Sequence, residues 1–478
     1  MSNNTISDVV KLKRKLYVEL VKMMIKENLV EEIDYLPKKM IRDDTPRYRC
    51  CEFKERAIFS ERIKMALGYS TLNNKNIELH ELASDLYKAD NINNIVEVIE
   101  QACDSCPIDK YIVTDACRNC VAHKCLNSCP ADAIVIIQNK AFIDQNKCLE
   151  CGKCARECPY GAILENSRPC VRVCEVDAIK SDAKRQARIN KEKCVVCGRC
   201  IVACPFGAIA DKSSIVQVTD KILKKDEKTA ALIAPSFVGQ FGFKVSPETV
   251  KYVLLEIGFD EVIEVAEGAD RVALEESREA IESLENDRIL LSSCCPAFKK
   301  MIVNDFPDLK DNLSHTDSPM LTTAEKLKRY NSDINTVFIG PCTAKKEEAA
   351  DSEVVDYVLT FEELIALITG FEINLEKVIE RREIRDASKF GRQFAYSGGL
   401  KGVIEELSEG KIKADNAEGL AKCIKKLTNL KAGKSNFDFL EGMACKDRCI
   451  GGPGSMINPK AARKLIENFA ERSNLKLK

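Results

Sequence analysis

Between residues 129 and 209 one six-residue pattern occurs four times: Cys129-Pro130-Ala131-Asp132-Ala133-Ile134, Cys158-Pro159-Tyr160-Gly161-Ala162-Ile163, Cys174-Glu175-Val176-Asp177-Ala178-Ile179 and Cys204-Pro205-Phe206-Gly207-Ala208-Ile209. Copies of this pattern close runs of cysteines at two-residue gaps, as in Cys148, Cys151, Cys154 and Cys158. Such a run followed by x-x-x-Cys-Pro is the bacterial [4Fe–4S] pattern, whereas zinc takes two cysteine pairs separated by a spacer. Abundant cysteine can also mean disulfides in a small secreted domain. A 478-residue chain that groups its 24 cysteines in C-x-x-C units and shows no secretory leader does not read that way. The four copies imply two duplicated ferredoxin-like α+β units, with a small hairpin predicted where Ile134–Ile137 and Ala141–Asp144 flank Gln138 to Lys140.

In paired motifs of this kind the first three cysteines bind one cluster and the fourth crosses to the other. The rule predicts that Cys117, Cys120 and Cys125 join Cys158, and that Cys148, Cys151 and Cys154 join Cys129, the gap before Cys125 being a longer variant. In the second unit Cys194, Cys197 and Cys200 can join Cys174, but the partner motif keeps only Cys170. Cys170 and Cys204 therefore lack two mates, and Cys103 and Cys106 upstream supply that number. Sixteen cysteines from 103 to 204 then divide into four cubes with none left over. The alternative is that Cys103 and Cys106 are free, or form a regulatory disulfide, and the fourth site is lost. His123 falls inside the first motif and is expected to be a surface residue. A row of cubes has one common purpose, to carry single electrons between a surface partner and something buried.

Residues 1–100 read as a helical segment, with Leu12, Leu16, Leu20, Met23 and Met24 at helical spacing, expected to pack against the cluster domain. Cys50 and Cys51 lie there in a basic stretch; neighbouring side chains point different ways, so the pair is expected not to chelate and to be buried or merely reduced thiols. The cluster domain is placed at 101–215, and Lys221 to Thr229, rich in lysine and acid, reads as an exit linker. From 222 to 478 apolar runs such as Ala231–Ala234, Ile289–Ser292 and Thr336–Gly340 alternate with helical segments, an α/β domain with its site at strand ends. The glycine turns at 396–399 and 451–454 let backbone approach a bound group but lack the phosphate-loop and dinucleotide patterns. The formal charge is −1, from 73 basic and 74 acidic residues, which favours neither nucleic acid nor an anionic membrane. No apolar run approaches the ~18 residues of a membrane span, and the expected location is the cytoplasm.

Three loops of the C-terminal half carry four further cysteines: Cys295 in Ser292-Ser293-Cys294-Cys295-Pro296, Cys342 in Pro341-Cys342-Thr343-Ala344-Lys345, and Cys445 and Cys449 in Met443-Ala444-Cys445-Lys446-Asp447-Arg448-Cys449 before Gly451-Gly452. Cysteines so scattered cannot share one short turn, so a whole domain must assemble them into a buried fifth set. These stretches, in this order behind a ferredoxin array, resemble the three signature segments of the [FeFe]-hydrogenases. The resemblance covers roughly residues 100–460. It implies two strand–helix lobes around an H-cluster, that is, a [4Fe–4S] cube on Cys295, Cys342, Cys445 and Cys449. Cys449 would also bridge to a di-iron subsite carrying carbon monoxide, cyanide and a bridging dithiolate amine. Lys345 would pair with one cyanide, Pro235-Ser236 would meet the other, and Met443 would pack near the subsite. Cys294 would pass protons to the amine, with Glu276, Ser314 and Glu279 leading outward; Glu276 and Glu279 share one helical face.

The expected function is reversible oxidation of H2 to protons and electrons, relayed through about four accessory cubes to or from a ferredoxin-like carrier. Separate maturation proteins would build the di-iron group, and coupling to NAD would need another chain. Two other classes keep part of the pattern: a hydrogen sensor of slow turnover, and an iron–sulfur electron-transfer or assembly protein lacking the di-iron subsite. Retention of Cys294, Lys345 and Met443 speaks against the second, and no PAS, kinase or phosphatase-like segment supports the first. Departures from the family pattern place the chain in a divergent lineage. Ser292 stands for threonine, Phe298 for tryptophan, Gly340 for methionine, Met320 for glutamine and Ser283 for arginine, and Lys446-Asp447-Arg448 replaces a glycine-rich spacer.

Overall fold

The computed structural model describes residues 6–42, 47–88, 94–104, 106, 110–182, 186–378, 387–396, 398–475 and 477. Ser397 of the first glycine turn lies outside them. Two parallel sheets form the C-terminal half. One has the order Glu261–Glu264, Thr229–Ile233, Asn335–Gly340, Tyr357–Thr360; the other has the order Leu290–Leu291, Phe439–Met443, Ala414–Glu418. Both central strands of the first sheet are buried along their whole length, as expected where helices cover both faces. The α/β expectation and its two lobes hold. The strand ends of the two lobes deliver the loops that carry Ser236, Cys295, Cys342 and Cys445.

The first helix, Asp8–Ile25, is capped by the Ser7 hydroxyl, which accepts from the Val10 N–H, and buries Leu16, Tyr17, Leu20, Val21, Met23 and Met24 on one face. That face joins a core continuous with the first sheet and with Phe361, Leu364 and Leu367 of the helix Phe361–Gly370. The helical segment therefore reaches past the cluster region to the C-terminal α/β region, while Ile58, Ile95, Val96, Val98 and Ile99 pack among the cluster cysteines. Its lysines alternate with apolar positions because only one face is wet. The stretch expected as a linker is largely ordered: Ile215–Lys224 is a helix with Ile215, Val216, Val218 and Ile222 buried, and the next strand starts at Thr229.

The cluster region is two units of the same design, one inserted in the other. In the inner unit Tyr111–Val113 pairs antiparallel with Ile163–Glu165, and Ile134–Ile137 forms the expected hairpin with Lys140–Ile143. In the outer unit Val96–Val98 pairs with Ile209–Asp211, and Ile179–Ser181 with Ala187–Ile189. Strand Val96–Val98 precedes Cys103 and Cys106 just as Tyr111–Val113 precedes Cys117 and Cys120. The ends of the inner unit meet where the Asn166 N–H donates to the Lys110 carbonyl, 2.6 Å. Close ends are what domain insertion requires. The second unit, read from sequence as a damaged motif, is interrupted by the inner unit between Cys106 and Cys170.

Candidate metal centres

The repeated six-residue pattern has a local physical cause. In every copy the residue before the alanine is left-handed: Asp132 (φ 45°), Gly161 (59°), Asp177 (49°) and Gly207 (56°). Only glycine, and less readily Asp or Asn, adopts this cheaply. The turn aims the alanine N–H back at the cysteine four residues earlier. Ala133 donates to Cys129 Sγ at 3.3 Å, Ala162 to Cys158 at 3.3 Å, Ala178 to Cys174 at 3.2 Å and Ala208 to Cys204 at 3.3 Å. Amide donors of this kind stabilise a thiolate and tune the potential of a cluster it holds. The longer gap before Cys125 is explained as well. His123 (φ 40°) takes the left-handed cap position that Gly152 and Gly198 hold before the matching helices. Half-buried, it lines the cavity of Cys117, Cys120, Cys125 and Cys158, and its Nε2 lies 3.3 Å from Asn119 Oδ1.

The crossed pairing is what the chain brings together. Cys117, Cys120, Cys125 and Cys158 line one small cavity, and Cys129, Cys148, Cys151 and Cys154 line another. In the outer unit, burial and the neighbouring thiols of Cys197, Cys194, Cys174 and Cys170 push the Cys200 thiol up. Burial and Cys204, Cys106 and Cys103 push Cys170 up to about 11. The Ala187 N–H donates to Cys103 Sγ at 3.3 Å, as Ala141 does to Cys117 at 3.5 Å, which matches Cys103 to the first cysteine of the inner unit. Cys103 and Cys106 therefore stand as first and second members of an interrupted motif rather than as a pair borrowed from elsewhere.

The fifth set assembles from three loops. Cys295 caps the helix Pro296–Asp305 after the strand Leu290–Leu291. Cys342 follows the strand Asn335–Gly340, and Cys445 and Cys449 follow Phe439–Met443. Burial, then Cys342, Cys295, Cys449 and Cys197, push the Cys445 thiol well up. Cys197 in that group places the third accessory set beside the fifth, and Cys170 beside Cys200 places the fourth beside the third. All the cysteines are free of disulfides. Among the described residues no three His, Cys, Asp or Glu side chains gather closely enough to hold a single ion. A cube asks for a wider ring, one thiolate on each iron corner, and groups of four thiols, most of them half-buried or buried, that repel one another's charge suit a polycationic core. The donor sets fit [4Fe–4S] cubes.

Around the fifth set the expected polar residues gather in part. Lys345 Nζ lies 3.5 Å from the Cys294 carbonyl and is paired with Glu348, which with Cys342 and Cys294 holds its pKa up although burial opposes this. The register Ile233↔Ile339 sets Pro235-Ser236 beside Pro341-Cys342, and the buried Ser236 hydroxyl has no hydrogen-bond partner among the described residues. Met443 is buried at its strand end. Glu276, on the helix Ala266–Glu285, is fully buried; desolvation, with Glu279 and Glu441 nearby, pushes its pKa up to about 8. Its Oε1 accepts from the Ser293 N–H at 3.1 Å and its Oε2 has no partner among the described residues. The Ser314 hydroxyl donates to Glu279 Oε2 at 2.6 Å, and the exposed His315 donates its N–H to Glu279 Oε1 at 3.1 Å. Ser283, where the family resemblance implies arginine, accepts from Arg288 at 2.9 Å, so a guanidinium still ends that face.

Two residues here were not singled out as site residues. Arg448 is fully buried at φ 59°, ion-paired with the fully buried Glu441, and donates to the Tyr396 carbonyl at 2.8 Å. Arg448 also acts electrostatically on Cys294 and Cys449, and Glu441 on Cys294 and Glu276. The charge triplet Lys446-Asp447-Arg448 hinted at Arg448, but Glu441 inside an apolar strand gave no signal. Phe298 lies against Gly442, where a Cβ would sit 2.2 Å from the ring, so the strand beneath the site admits only glycine there.

Residues 227–453 match the family described as iron only hydrogenase large subunit, C-terminal domain, residues 164–215 an LdpA Fe-S cluster-binding domain, and residues 140–163 a 4Fe-4S binding domain. With the cysteine sets these matches define an iron–sulfur protein. Residues 227–453 thus carry the C-terminal domain of the iron-only, or [FeFe]-, hydrogenase family, behind an N-terminal iron–sulfur region. It is 26% identical over 314 residues to iron hydrogenase 1 of Clostridium pasteurianum, covering 53% of this chain and 55% of that protein. It is 27% identical over 379 residues to the periplasmic [Fe] hydrogenase large subunit of Nitratidesulfovibrio vulgaris, covering 66% and 86%. The chain thus spans about half the length of the first of these relatives. A solved [FeFe]-hydrogenase of Chlamydomonas reinhardtii aligns over 55% of this chain and 91% of its own, at 20% identity and a TM-score of 0.46. No helix among the described residues is long and apolar enough to cross a membrane.

Proposed function

We propose that this protein is a hydrogenase that interconverts H2 with protons and electrons. The observation that carries the reading is the convergence of Cys295, Cys342, Cys445 and Cys449 with Cys294 and Lys345 at the strand ends of two lobes, next to the third accessory set. A di-iron group bridged through Cys449 would supply the centre at which H2 is split or formed. Around it Lys345 and Ser236 would offer hydrogen-bond donors to anionic ligands, and Met443 would close the cavity without competing for protons. The Cys294 thiol, kept protonated by burial and the carboxylates of Glu276 and Glu441, holds a proton at the metal side. Glu276, with its pKa pushed up to about 8, can carry a proton at neutral pH, and Ser314 and Glu279 lead it to the surface near His315. Electrons would pass between the fifth set and the third, then the fourth, then the cubes of the inner unit, and exchange with a ferredoxin-like carrier. Four accessory cubes, dependence on maturation proteins and a cytoplasmic location belong to the same reading.

A second reading, an electron-transfer or assembly protein with the cube alone, is favoured by one observation: a buried charge pair, Arg448–Glu441, acts electrostatically on Cys294, the thiol that would serve a di-iron subsite. One experiment separates the two. Protein co-produced with hydrogenase maturation proteins is examined by infrared spectroscopy without oxygen. Metal carbonyl and cyanide bands that shift under H2 establish the hydrogenase; full cube iron without such bands leaves only the second reading.

A further inference from the structure

Cys50 and Cys51, expected from sequence to point apart, have their Sγ atoms 3.7 Å from each other, with Cys50 exposed and Cys51 half-buried. The backbone around them is held on both sides. The N–H groups of Tyr48 and Arg49 donate to Glu55 Oε1 at 2.6 and 3.0 Å, and Cys51 caps the helix Glu52–Ala66. The Lys54 N–H and the Cys50 thiol hold the Cys51 thiol below its ordinary value, and low-pKa accessible thiols at helix N-termini are the reactive ones. The same segment grips the fourth cysteine set. Arg49 pairs with Asp104, between Cys103 and Cys106, at 3.2 Å and donates to the Ala102 carbonyl at 3.0 Å, and Lys54 pairs with Asp104 from the other side.

We propose that Cys50 and Cys51 form a reversible vicinal disulfide by exchange with low-molecular-weight disulfides, a modification site on the strap that covers the fourth cysteine set. One thiolate attacks the external disulfide, forming a mixed disulfide and releasing one thiol. The neighbouring thiol, having given up its proton, attacks the cysteine sulfur of that mixed disulfide, closing Cys50–Cys51 and releasing the second thiol. Two protein thiols are oxidised and one external disulfide is reduced to two thiols, with both protons accounted for. Adjacent Cα atoms lie about 3.8 Å apart across a trans peptide, shorter than the usual disulfide range of about 4.4–6.8 Å, so the bond is strained and readily reduced. This suits a switch and argues against a permanent staple. Closing it repositions Arg49 and Lys54 together, since each lies within three residues of the pair.

The test uses iron-loaded protein without oxygen, treated with oxidised glutathione, then alkylated with iodoacetamide, digested with trypsin and weighed. Cleavage after Arg49 and Lys54 isolates Cys50–Lys54 as its own peptide. The expected product carries no alkyl group and is two hydrogens lighter than the dithiol form. A reductant applied before alkylation restores two alkyl groups, with the iron content of the protein unchanged. In Cys50→Ser and Cys51→Ser the remaining thiol should instead retain glutathione, because the resolving partner is gone. A wild-type peptide that is doubly alkylated after treatment, or that keeps glutathione, overturns the proposal. Both variants retain the iron-binding cysteines, so loss of fold cannot imitate either result.

Discussion

Replacing Arg448 by glycine sets two structural terms against each other. Arg448 sits at φ 59°, where a side chain costs about 1–2 kcal/mol that glycine would recover. The same change strips the cation from Glu441, which is fully buried, and breaking a buried pair by removing one partner costs about 3–5 kcal/mol. The pair therefore outweighs the strain, and Arg448→Gly should lose about 1–4 kcal/mol, a fall of several degrees in the unfolding midpoint. Anaerobic calorimetry of iron-loaded wild type and variant at one scan rate reads this directly. Adding Glu441→Gln to Arg448→Gly removes the orphaned charge and should return most of the loss. An Arg448→Gly protein as stable as wild type, or more so, would show that strain dominates, and a double variant no better than the single would refute the charge argument.

Replacing both Cys103 and Cys106 by alanine should lower the iron content by about four atoms per chain, one cube, and leave the other sets loaded; unchanged iron would remove the fourth cube from the reading. In matured protein Cys294→Ala and Glu276→Gln should each lower H2 turnover by about 10²-fold or more while leaving the infrared bands in place, and full turnover in either variant rules that residue out of the proton path. Lys346 bridges Asp211 at 2.7 Å and Glu363 at 3.0 Å, all three buried, and ties the cluster region to the C-terminal α/β region. Lys346→Met should lose about 3–5 kcal/mol at pH 7. Burial alone would raise the Asp211 carboxyl, but Lys13 and Lys346 hold it well below the usual carboxylate range. A depressed folded pKa gives stability that is full above the unfolded value of about 3.9 and is lost as pH falls through the folded one, so the deficit of the variant should narrow below about pH 4. A deficit constant with pH would assign the loss to packing.

Cysteine spacing alone pointed to iron–sulfur cubes and to the crossed grouping of thiols found in the inner unit, because a cube reads local geometry: each Cys-to-Ala turn is closed by a left-handed residue and an N–H···S bond that a few neighbouring residues dictate. Alternating apolar runs likewise revealed the strands that end at Cys295 and Cys342. Three things were decided only by the folded chain. The insertion of one cluster unit in the other was hidden because Cys106 and Cys170 are far apart in sequence, and only the pairing of Val96–Val98 with Ile209–Asp211 makes them one motif. The burial of Arg448 on Glu441 was hidden because a charge beside a metal ligand and a glutamate in a strand each look exposed until two lobes close over them. The approach of the Cys50 and Cys51 sulfurs was hidden because their rotamers follow from Glu55 holding the backbone ahead of them and from the helix behind. In each case the deciding interaction joins residues whose partners are fixed by long-range packing, which spacing within a motif does not encode.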